Sequence, residues 1–292
     1  MSAHLSASPA EADRSGASQA EFGRSAEGLL VARVGDAAFA MMPTRNGRFY
    51  LATGWQADRP MAQWRRTDFF GHSDELADEA AFYRAVAESA EHQFEKNALN
   101  RREVRSSIST PWGASQGAVT YGDGVIAHST AGHGGFHLSE ERNNMVHPLL
   151  RAHGGWYEED AGWASIAVTF PNLFTRQERK AADRTVRDSW PGAWEVIFGR
   201  VLGPGESWEK DRQAFAQAHA SDWVVISAIL SDRVEGFTEV VATRGGKRDP
   251  QAEEQRFLVP SSEYKVGRFG FVIDQPCHQP YDGPSNFIGW LR

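Results

Sequence analysis

Short apolar runs that alternate with glycine-containing turns constrain the N-terminal part of this chain to an antiparallel sheet. Three such runs occupy residues 29–34, 37–42 and 48–53. Asn46-Gly47 separates the last two runs, and this dipeptide readily takes the positive φ of a tight hairpin turn. The pattern therefore predicts a small β-meander.

The same turn chemistry recurs further along the chain. Gly122-Asp123-Gly124 separates the runs 118–121 and 124–128, which predicts a second hairpin. In the C-terminal part, glycine-rich or charged turns separate four predicted strands, at 223–229, 237–242, 256–259 and 268–273.

Other stretches carry helical periodicity or capping signals. Apolar residues three and four positions apart predict a long amphipathic helix over 75–96, after the acidic start Ser73-Asp74-Glu75. Ser139 followed by two glutamates is typical of a helix N-cap, and Thr175 with Glu178 forms a capping-box pattern. Pro191 is expected to stop or kink the helix that Thr175 opens. The remaining predicted helical ranges are 139–152, 158–169 and 206–219.

These elements predict an α+β protein in which antiparallel sheets pack against helices. The chain has 292 residues, 41 % of them hydrophobic, which is enough apolar material for a real core. An N-terminal stretch rich in alanine, serine and glutamate is too polar to fold and is expected to be disordered. The predicted segments are the disordered tail over 1–27, a β-meander plus helix over 28–103, a central α+β module over 104–204 and a β-rich segment over 205–292.

Composition excludes several classes of protein. The net charge of −7 disfavours general binding to a nucleic-acid backbone, which requires a basic face. No apolar run approaches the ~18 residues of a membrane span, and the N-terminus lacks the apolar stretch of a secretory leader, so we expect a cytoplasmic location. The single cysteine, Cys277, excludes an internal disulfide framework. The oligomeric state stays open.

A histidine on a glycine-rich stretch is the main candidate for chemistry. Five of the ten histidines fall between residues 128 and 153, and His133 lies between Gly132 and Gly134-Gly135. Glycines there allow another backbone or a ligand to approach closely, and an imidazole can act as an acid, a base or a metal ligand near neutral pH.

An acidic triplet follows some twenty residues later. Glu158, Glu159 and Asp160 are tolerable together at a helix N-terminus, where free N–H groups favour anions. We expect His133 and these carboxylates to converge on one hollow, where a carboxylate could orient the imidazole or both could bind a divalent metal ion. The structural alternative is a tight glycine turn and a helix cap, and the histidine spacing resembles no standard zinc site.

Four phrases of this region resemble an uncharacterised domain family that is carried by bacterial plasmids and phages. They are TPWGASQ at 110–116, STAGHGG at 129–135, GWYEEDAGWA at 155–164 and FPNLF at 170–174. The resemblance covers about 105–175 and implies an accessory protein of a mobile element, but it implies no reaction and no cofactor. The residues that match the pattern are Trp112, Gly113, Gln116, Thr130, His133, Gly134, Gly135, Glu158, Glu159 and Asp160.

Two further residues could act as nucleophiles. Ser115 lies in a literal G-x-S-x-G sequence, but a predicted strand rather than a helix follows it, so the hydrolase motif lacks its usual context. Cys277 lies in a loop of three prolines next to His278, and a packed or idle thiol is its default interpretation. Whether either residue is reactive stays open.

Two classes of function therefore remain. The first is a mobile-element accessory protein that binds or acts on a host factor, such as a defence protein, through an acidic surface. The second is a hydrolase or transferase, with or without a divalent metal ion, in which His133 and the acidic triplet carry the chemistry. The residues expected to contact a substrate in that case are Trp112, Gln116, Thr130, Gly134, Gly135 and Trp156.

Overall fold

The computed structural model describes residues 20–45, 47–55 and 59–287. It shows an α+β protein with several antiparallel sheets, as predicted. The chain divides between Asp183 and Arg184 into two compact units, which are described separately below.

The first unit begins with a five-stranded antiparallel meander. Its strands follow one another in the order of the sequence: β1 (Glu21–Arg24), β2 (Leu30–Val34), β3 (Ala37–Pro43), β4 (Phe49–Trp55) and β5 (Gly71–Leu76). The predicted runs form β2, β3 and β4, while Asn46 of the predicted turn lies outside the described residues. β1 falls inside the range predicted as a disordered tail, because Glu21 to Arg24 find partners in β2. Residues 1–19 of that tail lie outside the described residues.

One long helix covers the meander. α1 (Glu79–Ala98) begins later than predicted, because the acidic stretch near residue 75 pairs with β4 as strand β5. Asp78 is the N-cap, and its carboxylate accepts a hydrogen bond from the Ala81 N–H at 2.7 Å. Phe82 and Val86 are fully buried against the sheet, whereas Tyr83 and Phe94 of the predicted apolar face are exposed. The amphipathic helix is therefore confirmed, but its buried face is centred on Phe82 and Val86.

A second five-stranded antiparallel sheet lies in the central module. Its strands lie in the spatial order β12, β11, β10, β9 and β6. Their bounds are β6 (Arg102–Val104), β9 (Gly117–Gly122), β10 (Val125–Ser129), β11 (Gly134–Leu138) and β12 (Trp156–Glu158). The predicted hairpin is the β9–β10 pair, and a short two-stranded ribbon of β7 (Ser109–Thr110) and β8 (Gly113–Ala114) precedes it.

The helices of this region are shorter than predicted. α2 (Glu140–Met145) starts at the predicted cap Ser139 but ends well before residue 152, because Val146 takes an extended conformation and is fully buried. α3 (Trp163–Thr169) starts five residues later than predicted, since Glu158 belongs to strand β12. The next helix along the chain is α4 (Arg176–Ser189).

The capping box predicted for α4 is present. The Glu178 N–H donates to Thr175 Oγ1 at 3.2 Å, and the Thr175 N–H donates to the Glu178 carboxylate at 2.8 Å. The helix ends at Ser189, and a new helix begins at Pro191, which confirms the predicted stop.

The second unit contains two helices and a three-stranded antiparallel sheet. They are α5 (Pro191–Phe198), α6 (Trp208–Ala218), β13 (Trp223–Leu230), β14 (Phe237–Arg244) and β15 (Glu254–Pro260). The fourth predicted strand, at 268–273, is wrong. Gly267 and Gly270 form a tight turn within it, and only an isolated bridge joins Val272 to β13.

Candidate functional site

The hairpin of β10 and β11 presents His133 at the end of a four-residue loop. Thr130 closes this loop: its N–H and its hydroxyl both donate to the carbonyl oxygen of His133. The hydroxyl also accepts a hydrogen bond from the His133 N–H at 3.2 Å. Thr130 therefore shapes the loop, and the His133 side chain is left 65 % exposed.

Pairing between β11 and β12 brings the acidic residues beside this loop. Glu158 lies opposite Gly135, and the Glu159 N–H donates to the Gly134 carbonyl oxygen at 3.1 Å. The pairing places Glu159 Oε1 3.8 Å from His133 Nδ1, with the Glu159 side chain 49 % exposed. The structure thus brings His133 and Glu159 together, although 25 residues separate them in the chain.

The two glycines after His133 serve packing. A Cβ atom at Gly134 would lie 2.6 Å from Glu159 Oε2 and 2.9 Å from the carbonyl oxygen of His128. A Cβ atom at Gly135 would clash with the Trp112 ring and with the Tyr157 carbonyl oxygen. The close packing of the protein itself therefore requires glycine at both positions.

Glu158 and Asp160 have unequal roles. The Glu158 carboxylate accepts hydrogen bonds from the N–H groups of Asp160 at 2.8 Å and Ala161 at 3.4 Å. Desolvation acts on Glu158 in the opposite direction, but these hydrogen bonds prevail and lower its pKa. The hydrogen bond and negative charge of Glu158 raise the pKa of Asp160, which is fully exposed. Glu158 thus closes a turn, whereas Asp160 and Glu159 face solvent.

The two tryptophans expected to line a substrate pocket pack against each other, and Trp156 also packs against two histidines. The Trp112 and Trp156 rings meet edge to face, with centroids 5.9 Å apart. Trp156 also contacts His137 at 4.3 Å and His128 at 5.7 Å between centroids. This arrangement follows from the strand register, which places these side chains on one face of the sheet.

His128 makes a contact that the sequence analysis missed. Its Nδ1 lies 3.1 Å from the hydroxyl oxygen of Ser115, and both residues are buried, at 6 % and 5 % exposure. Its Nε2 is buried with no hydrogen-bond partner. Burial, assisted by the nearby His137, lowers the pKa of His128, so its imidazole is neutral at pH 7.

Strand register alone does not predict this contact. Gly117 lies opposite Ser129 and Ala118 opposite His128, and Ser115 lies two residues before β9, outside the paired stretch. The G-x-S-x-G motif lies between the strands β8 and β9, and it lacks the strand-to-helix turn of α/β-hydrolases.

A cavity of about 570 Å³ lies beside this buried pair. Gln116, Gly117, His128 and Ser129 line it together with residues 103–105, 118, 119 and 127. Of the residues predicted to contact a substrate, Gln116 alone belongs to this lining, and His133 and the acidic triplet do not.

The donor set for a metal site is not assembled in the described part of the chain. Residues 20–45, 47–55 and 59–287 contain no group of three or more His, Cys, Asp or Glu side chains that could hold a metal ion. In the second unit, a hydrogen bond to Asp274 and the negative charge of that residue raise the pKa of Cys277, which disfavours a reactive thiolate. None of the described helices is both long enough and apolar enough to span a bilayer.

Comparison with known proteins identifies one domain. No curated protein and no solved structure matches the chain. Residues 105–220 match the family described as "Domain of unknown function (DUF7007)". A domain of this uncharacterised family is therefore present in the chain, and it contains both the His133 loop and the buried Ser115–His128 pair.

Proposed function

We propose that the protein is an accessory protein of a plasmid or phage and binds a host protein through an exposed acidic surface. This surface consists of His133, Glu159 and Asp160 and is called the hairpin surface below. The observation that carries the proposal is the convergence of His133 and Glu159, 3.8 Å apart, with both side chains open to solvent.

Exposure favours binding over catalysis at this place. A general acid or base works best in a site that excludes water and holds the substrate within hydrogen-bond reach. His133 and Glu159 are 65 % and 49 % exposed, and they line no part of the neighbouring cavity. An exposed ion pair contributes little to stability, so its members can exchange partners at low cost.

Charge indicates the chemistry of the partner. Glu159 and Asp160 present carboxylates to solvent next to Glu158, and the whole chain carries a net charge of −7. A surface of this kind attracts basic side chains and speeds their encounter. The expected partner surface is rich in lysine and arginine, and the mobile-element resemblance favours a cytoplasmic host defence protein as its owner.

Site-specific photo-cross-linking in host cells tests this proposal. A photoreactive residue at position 133 is compared with the same residue at position 123, an exposed site at the other end of β10. We expect one basic host protein to cross-link at position 133 and not at position 123, and the same protein to bind the purified chain. Equal cross-linking at both positions, or a captured protein that does not bind in purified form, would contradict the proposal.

A hydrolase or transferase is the second candidate, favoured by the His133–Glu159 contact itself. In that case His133→Ala would abolish turnover, whereas Asp160→Asn would leave it nearly unchanged. For binding, the proposal expects the opposite: Asp160→Asn should weaken binding more than His133→Ala, because it removes an exposed carboxylate from the acidic surface.

A further inference from the structure

The geometry points to Ser115 as a nucleophile that accepts a small acyl group, with His128 as its general base. We call Ser115 and His128 the buried dyad. A serine and a histidine in hydrogen-bond contact are the core of nucleophilic catalysis, and such pairs recur on unrelated folds. The dyad is separate from the hairpin surface and does not depend on the function proposed for it.

Hydrogen-bond accounting leaves room for proton transfer from Ser115 to His128. The Ser115 hydroxyl donates to the Gly117 carbonyl oxygen at 3.0 Å, and its oxygen lies 3.1 Å from His128 Nδ1. Ser129 Oγ also donates to that carbonyl oxygen, at 3.3 Å. Because the carbonyl has a second donor, the Ser115 proton can be directed to Nδ1, and the proton of the neutral ring then lies on Nε2.

The surroundings of His128 keep the ring neutral and ready to accept a proton. The titratable neighbour on β11 is His137, and Glu158 of β12 lies on the same sheet face across Gly135. On the other side, β9 places the uncharged Ala118 opposite His128. The Trp156 ring, 5.7 Å away, can stabilise the imidazolium that forms during the reaction.

The cavity supplies room for a substrate of limited size. His128 lines it, as do Gln116 and Gly117, which follow Ser115 directly, whereas Ser115 itself lies behind this lining. The Gln116 side chain is exposed at this cavity and can donate an amide N–H to a developing oxyanion. Since Ser115 is only 5 % exposed, we expect a short acyl ester to react with it and a bulky one not to react.

The reaction balances without a further cofactor. Ser115 Oγ attacks the ester carbonyl carbon, its proton moves to His128 Nδ1, and the alcohol leaves with that proton as the acyl–serine bond forms. Water then attacks the acyl group, and the products are the free acid and the restored hydroxyl. His128 Nε2 has no acceptor to orient the ring, so the dyad lacks the third member of a triad and we expect slow turnover.

Labelling with methanesulfonyl fluoride, a reagent small enough for a serine that is 5 % exposed, tests the dyad in the full chain. The expected adduct lies on Ser115: the Oγ–S bond forms, the S–F bond breaks and fluoride leaves. Ser115→Ala abolishes the adduct, His128→Gln slows labelling by about 100-fold, and the control Ser107→Ala, at an exposed serine, leaves the rate unchanged. Circular dichroism checks that the variants fold.

The pH profile of the wild-type chain gives an independent readout. With His128 as the base, the labelling rate reaches its plateau below the ordinary histidine range, because burial lowers the pKa of His128, and the rate is flat through pH 7 to 8. A rate that climbs tenfold per pH unit through pH 8, an adduct that forms equally fast in His128→Gln, or folded protein without an adduct on Ser115 would each overturn the proposal.

Discussion

Two histidines five positions apart on one hairpin have opposite environments. His133 lies in the loop, exposed, beside an exposed carboxylate, whereas His128 lies on the adjoining strand, buried beside Trp156 with one nitrogen unpartnered. The difference shows that the chemistry available to a histidine depends on which face of the strand its side chain occupies and on whether that face is buried. The hairpin surface is suited to contact a partner, and the buried dyad is suited to hold a neutral base.

Strand β11, next to the dyad, should tolerate an added methyl group far less well than the loop that precedes it. Gly135→Ala places a methyl group against Trp112 and the Tyr157 carbonyl oxygen, so we expect it to lower the free energy of unfolding by about 1–3 kcal/mol. Gly132→Ala is the matched control, because nothing lies within 4 Å of the added atom. Urea denaturation of both variants measures the difference, and equal effects would show that the strand is not as tightly packed as described.

A fall in pH should lower the free energy of unfolding through protonation of His128. Its pKa is lowered in the folded state, so the unfolded chain binds the proton more readily, and stability is lost as the pH falls below about 6.5. One such proton contributes a slope of at most about 1.4 kcal/mol per pH unit. Burial also lowers the pKa of His137, which acts in the same direction.

Chemical denaturation between pH 7.5 and pH 5 measures this slope. His128→Gln should flatten the profile, whereas His133→Ala, at the exposed position, should leave it unchanged. If His133→Ala flattened the dependence of stability on pH and His128→Gln did not, the assignment of the buried titrating group to His128 would be wrong.

The features of the fold that depend on neighbouring residues could be predicted from the sequence. Turn dipeptides and apolar runs predicted the β2–β4 strands and the β9–β10 hairpin, and the Thr175 capping box was readable from four residues. Each of these features depends on contacts between residues that are close in the chain.

The non-local part was harder to predict. The contact of Ser115 with His128 depends on the path of the chain before β9 begins, and the contact of Trp112 with Trp156 joins residues that are far apart in the chain. The predicted strand at 268–273 failed because its aromatic alternation resembles a strand, while Gly267 and Gly270 turn the chain back on itself. Tertiary pairing overrides local pattern in these places.

Removal of the charge that closes the acidic turn should have a moderate effect. Glu158→Gln weakens two hydrogen bonds from N–H groups to a carboxylate, and we expect a loss of about 1 kcal/mol in the free energy of unfolding. The pKa of Asp160 should fall towards its ordinary value, because the negative charge of Glu158 raises it. Carbon-13 NMR titration of the side-chain carboxyl groups measures that shift, and an unchanged Asp160 would contradict the assigned cause.

The smallest effect is expected from the exposed pair itself. A double-mutant cycle of His133→Ala and Glu159→Ala, carried out near pH 6, should give a coupling energy below about 0.5 kcal/mol. A coupling above about 1.5 kcal/mol would show that the two side chains are committed to each other, which would leave them unsuited to exchange partners.

Charge reversal measured against the purified partner tests the hairpin surface most directly. The double variant Glu159→Lys, Asp160→Lys is compared with Asp123→Lys, an exposed acid at the other end of β10. We expect the double variant to raise Kd at least tenfold in low salt, with a smaller rise in high salt, and Asp123→Lys to change Kd less than twofold. Equal losses of affinity in both variants, or no loss in either, would contradict the assignment of this surface as the binding site.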